Sequence, residues 1–480
     1  MGDDPRHQHV DLVPDVLRDT RASVVDVEEE CKNVIQLALH TRYTHLIVDD
    51  GDARVLVAAM KAHRSNRTVQ EYGCWALGYI ADRRIAGGMD GRDSVLEAEG
   101  GLAVLDAMQL PTVRQREAGF MRQAPNFPVY QKGLFVLSAL TVDPTFRAWF
   151  INVTGITQVL YAMRVNASSV EIQKHGCAVI RNISESFQGY DQVNMLGGID
   201  VIARAMREHR QSPEVTVACE AFYNIAKSGE NCMEILNVGG IAAILDAIRD
   251  DTKRIELFQE GSRALSRLAL KDGASEEIGR LGGVALVVSV MSEHAALRRV
   301  QIRGCEVLRI MARIDSNREE IVNTQGVEVI LSAMQRHPSI LVGVECNKRL
   351  AMQFCGAIRE LARGLALDVT VNLRLRIATA VVAAMREHIP DTTVCKRGCE
   401  ALKALALYAE AGVPIMDAGG REAVEDVMER WFFDKELHQD PDNREVFEDT
   451  GGMEFVSHMM HMADMGIMEI GSEVARAFLL

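Results

Sequence analysis

The residues best suited to chemistry are the ten cysteines, since thiolates hold soft metals, form disulfides and act as nucleophiles. Cys395 and Cys399 are spaced i, i+4 and share a helix face, but no histidine stands beside them to complete a zinc site. Near the end of the chain His458, Met459, Met460, His461, Met462 and Met465 crowd together in the manner of a soft-metal site. Gly-Gly pairs open several apolar stretches, and a glycine turn before a helix can cradle phosphate. The pairs nevertheless lack GxGxxG spacing after a strand, and no GxxxxGK[ST], HExxH, GxSxG or kinase motif occurs. These observations point away from a catalytic residue, a metal site or a cofactor, so the chain is not expected to be an enzyme.

The same residues recur at a fixed period. Cys31, Cys74, Cys177, Cys219, Cys305, Cys355 and Cys399 all follow a glycine or its substitute, and small, soft side chains at one repeated position signal buried packing. His63, His209, His294, His337 and His388 each lie three residues after an apolar anchor, where a positive imidazole would suit the end of a helix dipole. Met460 is itself such an anchor, which turns the tail cluster into core packing with histidines on a solvated face.

Gly282 to Ala312, GGVALVVSVMSEHAALRRVQIRGCEVLRIMA, displays the unit. After the glycine pair, Val284, Leu286, Val287, Val290 and Met291 recur at helical spacing. His294 closes that helix. Val300, Cys305, Leu308 and Ala312 then share one face of a second helix, in which Gly304 removes a side chain where a neighbour comes close. Anchors equivalent to Met291 are Met60, Met108, Met163, Met206, Ile248, Met334, Met385, Met428 and Met460. Their period is about 42 residues, within the range of stacked armadillo or HEAT units. Thirteen residues after an anchor come Gly73, Gly176, Gly261, Gly304 and Gly398. A third, shorter helical piece precedes each glycine pair, as around Asn231 and Ile235 or Asn317 and Ile321. Three helices per unit favour the armadillo design.

Here the sequence resembles armadillo-repeat proteins, whose loose consensus N..I...GGI..I...M......VQ..GC.AL.NLA is traceable over about residues 20 to 465. The expected fold is all-α, a right-handed α-solenoid of stacked three-helix armadillo-type repeats. Residues 1–20 are expected to be a polar, disordered lead, 21–40 an incomplete capping repeat, and 41–430 an array of about nine units. Insertions fall near 82–99, 111–128 and 338–376, with the segment DRRIAGGMDGRDS read as a loop and Ile377 standing where glycine is expected. The corner at 111–128, with Arg114, Arg116, Phe120, Arg122 and Phe127, is a candidate second contact site. Residues 431–480 read as a shortened carboxyl-terminal cap.

Of 480 residues, 53 are Lys or Arg against 67 Asp or Glu, for a net charge of −14. An acidic surface argues against nonspecific binding to nucleic acid or anionic membranes. The charged start and the lack of a long apolar run fit a cytoplasmic protein, with nuclear and ciliary locations also compatible.

The resemblance implies that the third helix of each unit lines a concave groove. Two positions on that helix point into it, two and six residues after the glycine (or its substitute) that precedes the cysteine position. They hold Trp75 and Tyr79, Phe135 and Ala139, Ala178 and Asn182, Glu220 and Asn224, Arg263 and Arg267, Glu306 and Ile310, Gly356 and Glu360, and Glu400 and Ala404. The pairs divide into an aromatic amino-terminal end, an amide pair, a basic step and an acidic carboxyl-terminal end. The reading is a non-catalytic scaffold binding a partner protein or peptide along this groove, with no small-molecule substrate. Alternatives are a structural subunit of a cytoskeletal or ciliary assembly, or a cochaperone or exchange-type regulator. A nuclear-import adaptor ranks last, because the Trp and Asn ladder is reduced to Trp75, Asn182 and Asn224.

Overall fold

The computed structural model describes residues 24–39, 52–82, 89–109, 127–271, 273–337, 344–362, 371–388, 391–406, 418–420, 422–423 and 426. Every regular element among them is an α-helix. The chain forms two compact units, Met1–Asp251 and Thr252–Leu480.

The first unit begins with α1 (Val24–Leu39), then α2 (Asp52–Ala62) and α3 (Arg67–Ala81). Complete three-helix repeats follow: α4 (Met89–Glu97), α5 (Gly100–Ala107) and α6 (Phe127–Leu140); α7 (Pro144–Asn152), α8 (Gly155–Val165) and α9 (Val170–Ile183); α10 (Phe187–Met195), α11 (Gly198–Glu208) and α12 (Val215–Ile225). It ends with α13 (Gly229–Asn237) and α14 (Gly240–Asp250). The second unit holds α15 (Ile255–Leu268), the repeat α16 (Ala274–Arg280), α17 (Gly283–Glu293) and α18 (Arg298–Met311), and the repeat α19 (Asp315–Asn323), α20 (Gly326–Arg336) and α21 (Val344–Ala362). Last come α22 (Val371–Glu387) and α23 (Thr392–Ala406). We call the three helices of a repeat H1, H2 and H3. Like packs on like between neighbouring repeats, so each unit is an all-α solenoid stack.

One steric fit sets the angle between H2 and H3. A β-carbon built on Gly304 would lie 2.2 Å from the Sδ of Met291, and the pairs Gly73/Met60, Gly133/Met108, Gly176/Met163 and Gly398/Met385 repeat this clash with the same side chain. The anchor thioether therefore occupies the space that any larger residue would need. Gly133 joins the series although the long corner before it shifts its spacing from Met108. A second tie closes the corner. Gln301 Nε2 donates to Met291 O and His294 O, both at 3.0 Å, and Gln70 and Gln173 do the same in their repeats. These are carbonyls that the end of H2 cannot satisfy within the helix. Cys395 stands in that place in α23 and reaches His388 O at 3.5 Å through sulfur.

At most H1–H2 corners among the described residues the chain turns through a left-handed residue, as at Gly282 with φ +73°; Thr154, at φ −73°, departs from this. Basic side chains of the preceding repeat cap this corner: Arg164 donates to Leu196 O and Arg207 to Val238 O. The histidines do more than face a helix dipole. His209, His294 and His337 reach back one repeat, with Nε2 2.6, 2.9 and 3.0 Å from the carbonyls of Ala167, Thr252 and Ala295. They fasten one corner to the one before it.

One expectation is corrected. The segment read as a loop, DRRIAGGMDGRDS, contains the start of α4: with Val95 fully buried and Arg92 7% exposed, packing against α3 and α5 outweighs the low helix propensity of Gly91. Ile377 does not begin a helix. Standing where glycine is expected, it lies fully buried within α22, which runs unbroken from Val371 to Glu387. Residues 344–362, within the span 338–376 where the sequence marks an enlarged unit, form α21, the longest H3 among the described residues. Residues 1–23, the corner 110–126 and the tail 431–480, with their readings as lead, second contact site and cap, lie outside the described residues.

Replacing Gly304 with valine tests the steric fit: overpacking should cost about 1–3 kcal/mol and lower the urea midpoint of the second unit, read by circular dichroism. An unchanged midpoint would show that Met291 yields freely.

Candidate functional site

The H3 helices lie side by side, α1, α3, α6, α9 and α12 in the first unit and α15, α18, α21 and α23 in the second. Where the Met–Gly fit is present it fixes how H3 is rotated, so in α3, α6, α9, α18 and α23 residues at corresponding positions face the same way.

In the first unit this face opens with a row of rings. Tyr72 stacks on Trp75 with centroids 6.4 Å apart, Trp75 lies 6.0 Å from Tyr79, Tyr79 meets Phe135 edge-on at 5.9 Å, and Phe135 meets the His175 ring at 5.2 Å. Phe135 can come close because Gly78 lacks a β-carbon, which would sit 2.4 Å from its Cδ1. Cations cover the row, with Lys132 Nζ 3.9 Å from the Trp75 ring centre and Lys32 Nζ 5.5 Å from that of Tyr72. Burial lowers the Lys132 pKa, opposed by the charges of Glu71 and Glu171. Burial likewise raises the Glu71 carboxyl, opposed by Lys132. Trp75 is thus half-buried and already has a lysine on its face.

The amide pair ties neighbouring repeats together. Asn182 is 4% exposed, donates to Ser138 O at 3.1 Å and Thr141 Oγ1 at 3.0 Å, and accepts from Arg181. Asn224 Nδ2 donates to Arg181 O at 2.9 Å. Glu220 pairs with Arg181 at 2.8 Å. Asn182 is therefore a buried tie between repeats, which corrects its reading as a peptide-holding side chain.

In the second unit Arg263 pairs with Glu260 at 2.5 Å, and Arg263 and Arg267 are half-buried on α15. The acidic zone holds its charges in ion pairs. Glu306 pairs with Arg303 at 2.7 Å, while Arg359 takes both Glu400, at 2.6 Å, and Glu360. Glu360 is 1% exposed, and Ile310, Gly356 and Ala404 are buried as well. Arg309 and Arg397 add positive charge that the two groove positions do not reveal. Lys132, Arg303 and Arg397 lie one residue before the glycine position, and Arg181, Arg309 and Arg359 five after it. Both positions flank the groove pair on one helical stripe, and that spacing is the signal that would have found them.

The cysteines serve packing. Cys74, Cys177, Cys219, Cys305, Cys355 and Cys399 are at most 4% exposed. Burial pushes the thiols of Cys177, Cys305, Cys355 and Cys395 up to about 12. Cys395 is also committed to the His388 carbonyl. The side chain of Cys31 lies outside the described residues.

Similarity to solved structures follows this geometry. One, described as a phosphorylation switch controlling the interaction between cadherin and beta-catenin, superposes with a TM-score of 0.66 at 15% identity, over 98% of this chain and 90% of that one. The fold is that of the armadillo-repeat proteins. Shorter matches, an engineered protein and a computationally designed armadillo repeat protein for modular peptide recognition, cover 53% and 54% of this chain and 98% of their own. Their TM-scores are 0.44 and 0.43 at 19% and 14% identity. No family model matches the sequence, and no curated protein matches it. The armadillo scaffold thus comes with an H3 face whose side chains are this chain's own.

At pH 8 the thiolate fraction of a group titrating near 12 is on the order of 10⁻⁴. Iodoacetamide should leave Cys177, Cys305 and Cys355 unmodified in the folded protein and label them after urea, as mapped by peptide mass spectrometry. Fast labelling of the folded chain would contradict their packing role.

Proposed function

We propose that the protein is a non-catalytic scaffold that holds a partner protein or peptide on its armadillo H3 face. The observation that carries this reading is the contrast between positions. Residues at the H2–H3 contact keep to a few types, with Met against Gly in five repeats and Cys after the glycine position in most of the described ones, and they make the fold. Those facing outward on H3 differ from repeat to repeat, from the aromatic row of α3 and α6 to the arginines of α18, α21 and α23. A surface needed only for stacking would have no use for such variety. Half-buried aromatic and arginine side chains are also the types that contribute most when a partner desolvates them. The solved protein titled for a cadherin and beta-catenin interaction is compatible with this use of the fold.

Within the face, Phe135, Arg263 and Arg267 are better placed as contacts than Asn182 or Glu360, which are buried. Trp75 and Tyr79 take part only if the partner accepts or displaces the Lys132 cation.

Site-specific photo-crosslinking tests the location without weakening the fold. A benzoylphenylalanine at Phe135 or Arg263 should capture a shared partner from native extract, identified by mass spectrometry. The same probe at Met195, an exposed H1 residue, should not. Capture from Met195 alone would move the site to the H1 helices.

A further inference from the structure

Two arginines converge over a glycine in the second unit. Arg309 on α18 and Arg397 on α23 approach from the H3 helices on either side of α21, and they meet above Gly356. A β-carbon on that glycine would lie 2.5 Å from Arg309 Cδ and 3.5 Å from Arg397 Nη1. Each guanidinium carries five N–H donors. One anchors each in place: Arg309 Nε donates to Gln353 Oε1 at 2.8 Å and Arg397 Nη1 to Met352 O at 3.0 Å. The remaining donors sit on half-buried groups that reach the surface.

The nearby carboxylates are already committed. Glu306 is held by Arg303, and Glu360 and Glu400 by Arg359. Among the described residues neither Arg309 nor Arg397 forms an ion pair with a carboxylate. Burial first, and then the positive charges of Arg397 and Arg313, hold the Arg309 pKa below its ordinary value. Burial and Arg359 do the same to Arg397. Like charges have thus been brought together under partial desolvation with no anion of the described fold between them.

We propose that Arg309 and Arg397 form a carboxylate-binding fork, which takes the side chain of an aspartate or glutamate from a peptide lying across α18, α21 and α23. The inference rests on the H3 face being the binding face and names the chemistry of one of its contacts. Two guanidinium forks converging from opposite sides match the two oxygens of a carboxylate. A phosphate dianion fits less well, because Glu306 and Glu400 border the same place and their fields act on the arginines. Because Gly356 lacks a β-carbon, the Arg309 stem can lie flat across α21 and bring its guanidinium towards Arg397. In a chain of net charge −14, this is a local reversal of sign that favours an acidic ligand over a basic one.

The test uses a displayed library of random peptides selected on the full-length protein and, in parallel, on its Arg309→Gln/Arg397→Gln variant. Circular dichroism and thermal melting confirm that the variant is folded. The wild type should enrich peptides with one fixed Asp or Glu. A synthetic copy of such a peptide should lose about tenfold in affinity when that residue becomes Asn or Gln, the size expected for a charged hydrogen bond. The double variant should bind the acidic and amide peptides equally, and raising salt should remove most of the wild-type preference. A phosphoserine at the same position should bind no better than the acid; tighter binding would overturn the choice of carboxylate. Selection of peptides with no acidic residue, or an acidic preference that survives in the double variant, would overturn the fork while leaving the H3 face as the binding surface. If the wild type selects no peptide at all, both this inference and the groove reading fall.

Discussion

A methionine thioether resting where a glycine lacks its β-carbon is the contact on which the rest of the structure depends. It appears five times among the described residues, from Met60/Gly73 to Met385/Gly398. It brings H2 and H3 closer than any larger residue would allow. Close approach buries the next residue, a cysteine in four of the five pairs and Leu134 in the fifth, and it places the glutamine three residues before the glycine within reach of the last carbonyls of H2. Where the glutamine is replaced, as by Cys395, a longer sulfur contact takes over and the steric fit remains. The corner is thus held by shape first and by hydrogen bonds second.

Fixing the corner also fixes what H3 can show. Its inner stripe must serve the repeat, so only the outer stripe is free to differ, and it differs sharply between the two units. The first unit uses it for rings capped by lysines, a face that excludes water and offers π surfaces. The second uses it for arginines and glutamates arranged so that most charges cancel within the fold. Side chains that bridge neighbouring repeats, such as Asn182, His294 and Arg359, offset the cost of this variety by tying the stack together.

Much of this was legible in the sequence because the contacts within a repeat are local. The Met-to-Gly spacing, the glycine-led helices and the buried cysteines are all read from residues close in the chain. What was not legible involves partners about one period away, which a single repeat cannot show. Asn182 looks like a surface amide until Ser138 and Thr141 are seen to hold it. Trp75 looks available until Lys132 of the following H3 lies on it. The helix at Met89–Glu97 was hidden by its glycine and charges, since its formation depends on burial against other helices more than on propensity. Arg309 and Arg397 stand off the two rotational positions that the armadillo resemblance marks, so the resemblance did not point to them.

The central claim is that what repeats makes the fold and what departs from the repeat, on H3, makes the contact. Hydrogen–deuterium exchange on the full chain, free and bound to the partner captured from extract, tests it most directly. The account predicts added protection in peptides from the H3 helices, with H1 helices such as Phe187–Met195 unchanged. Protection confined to H1 or H2 on binding would contradict it.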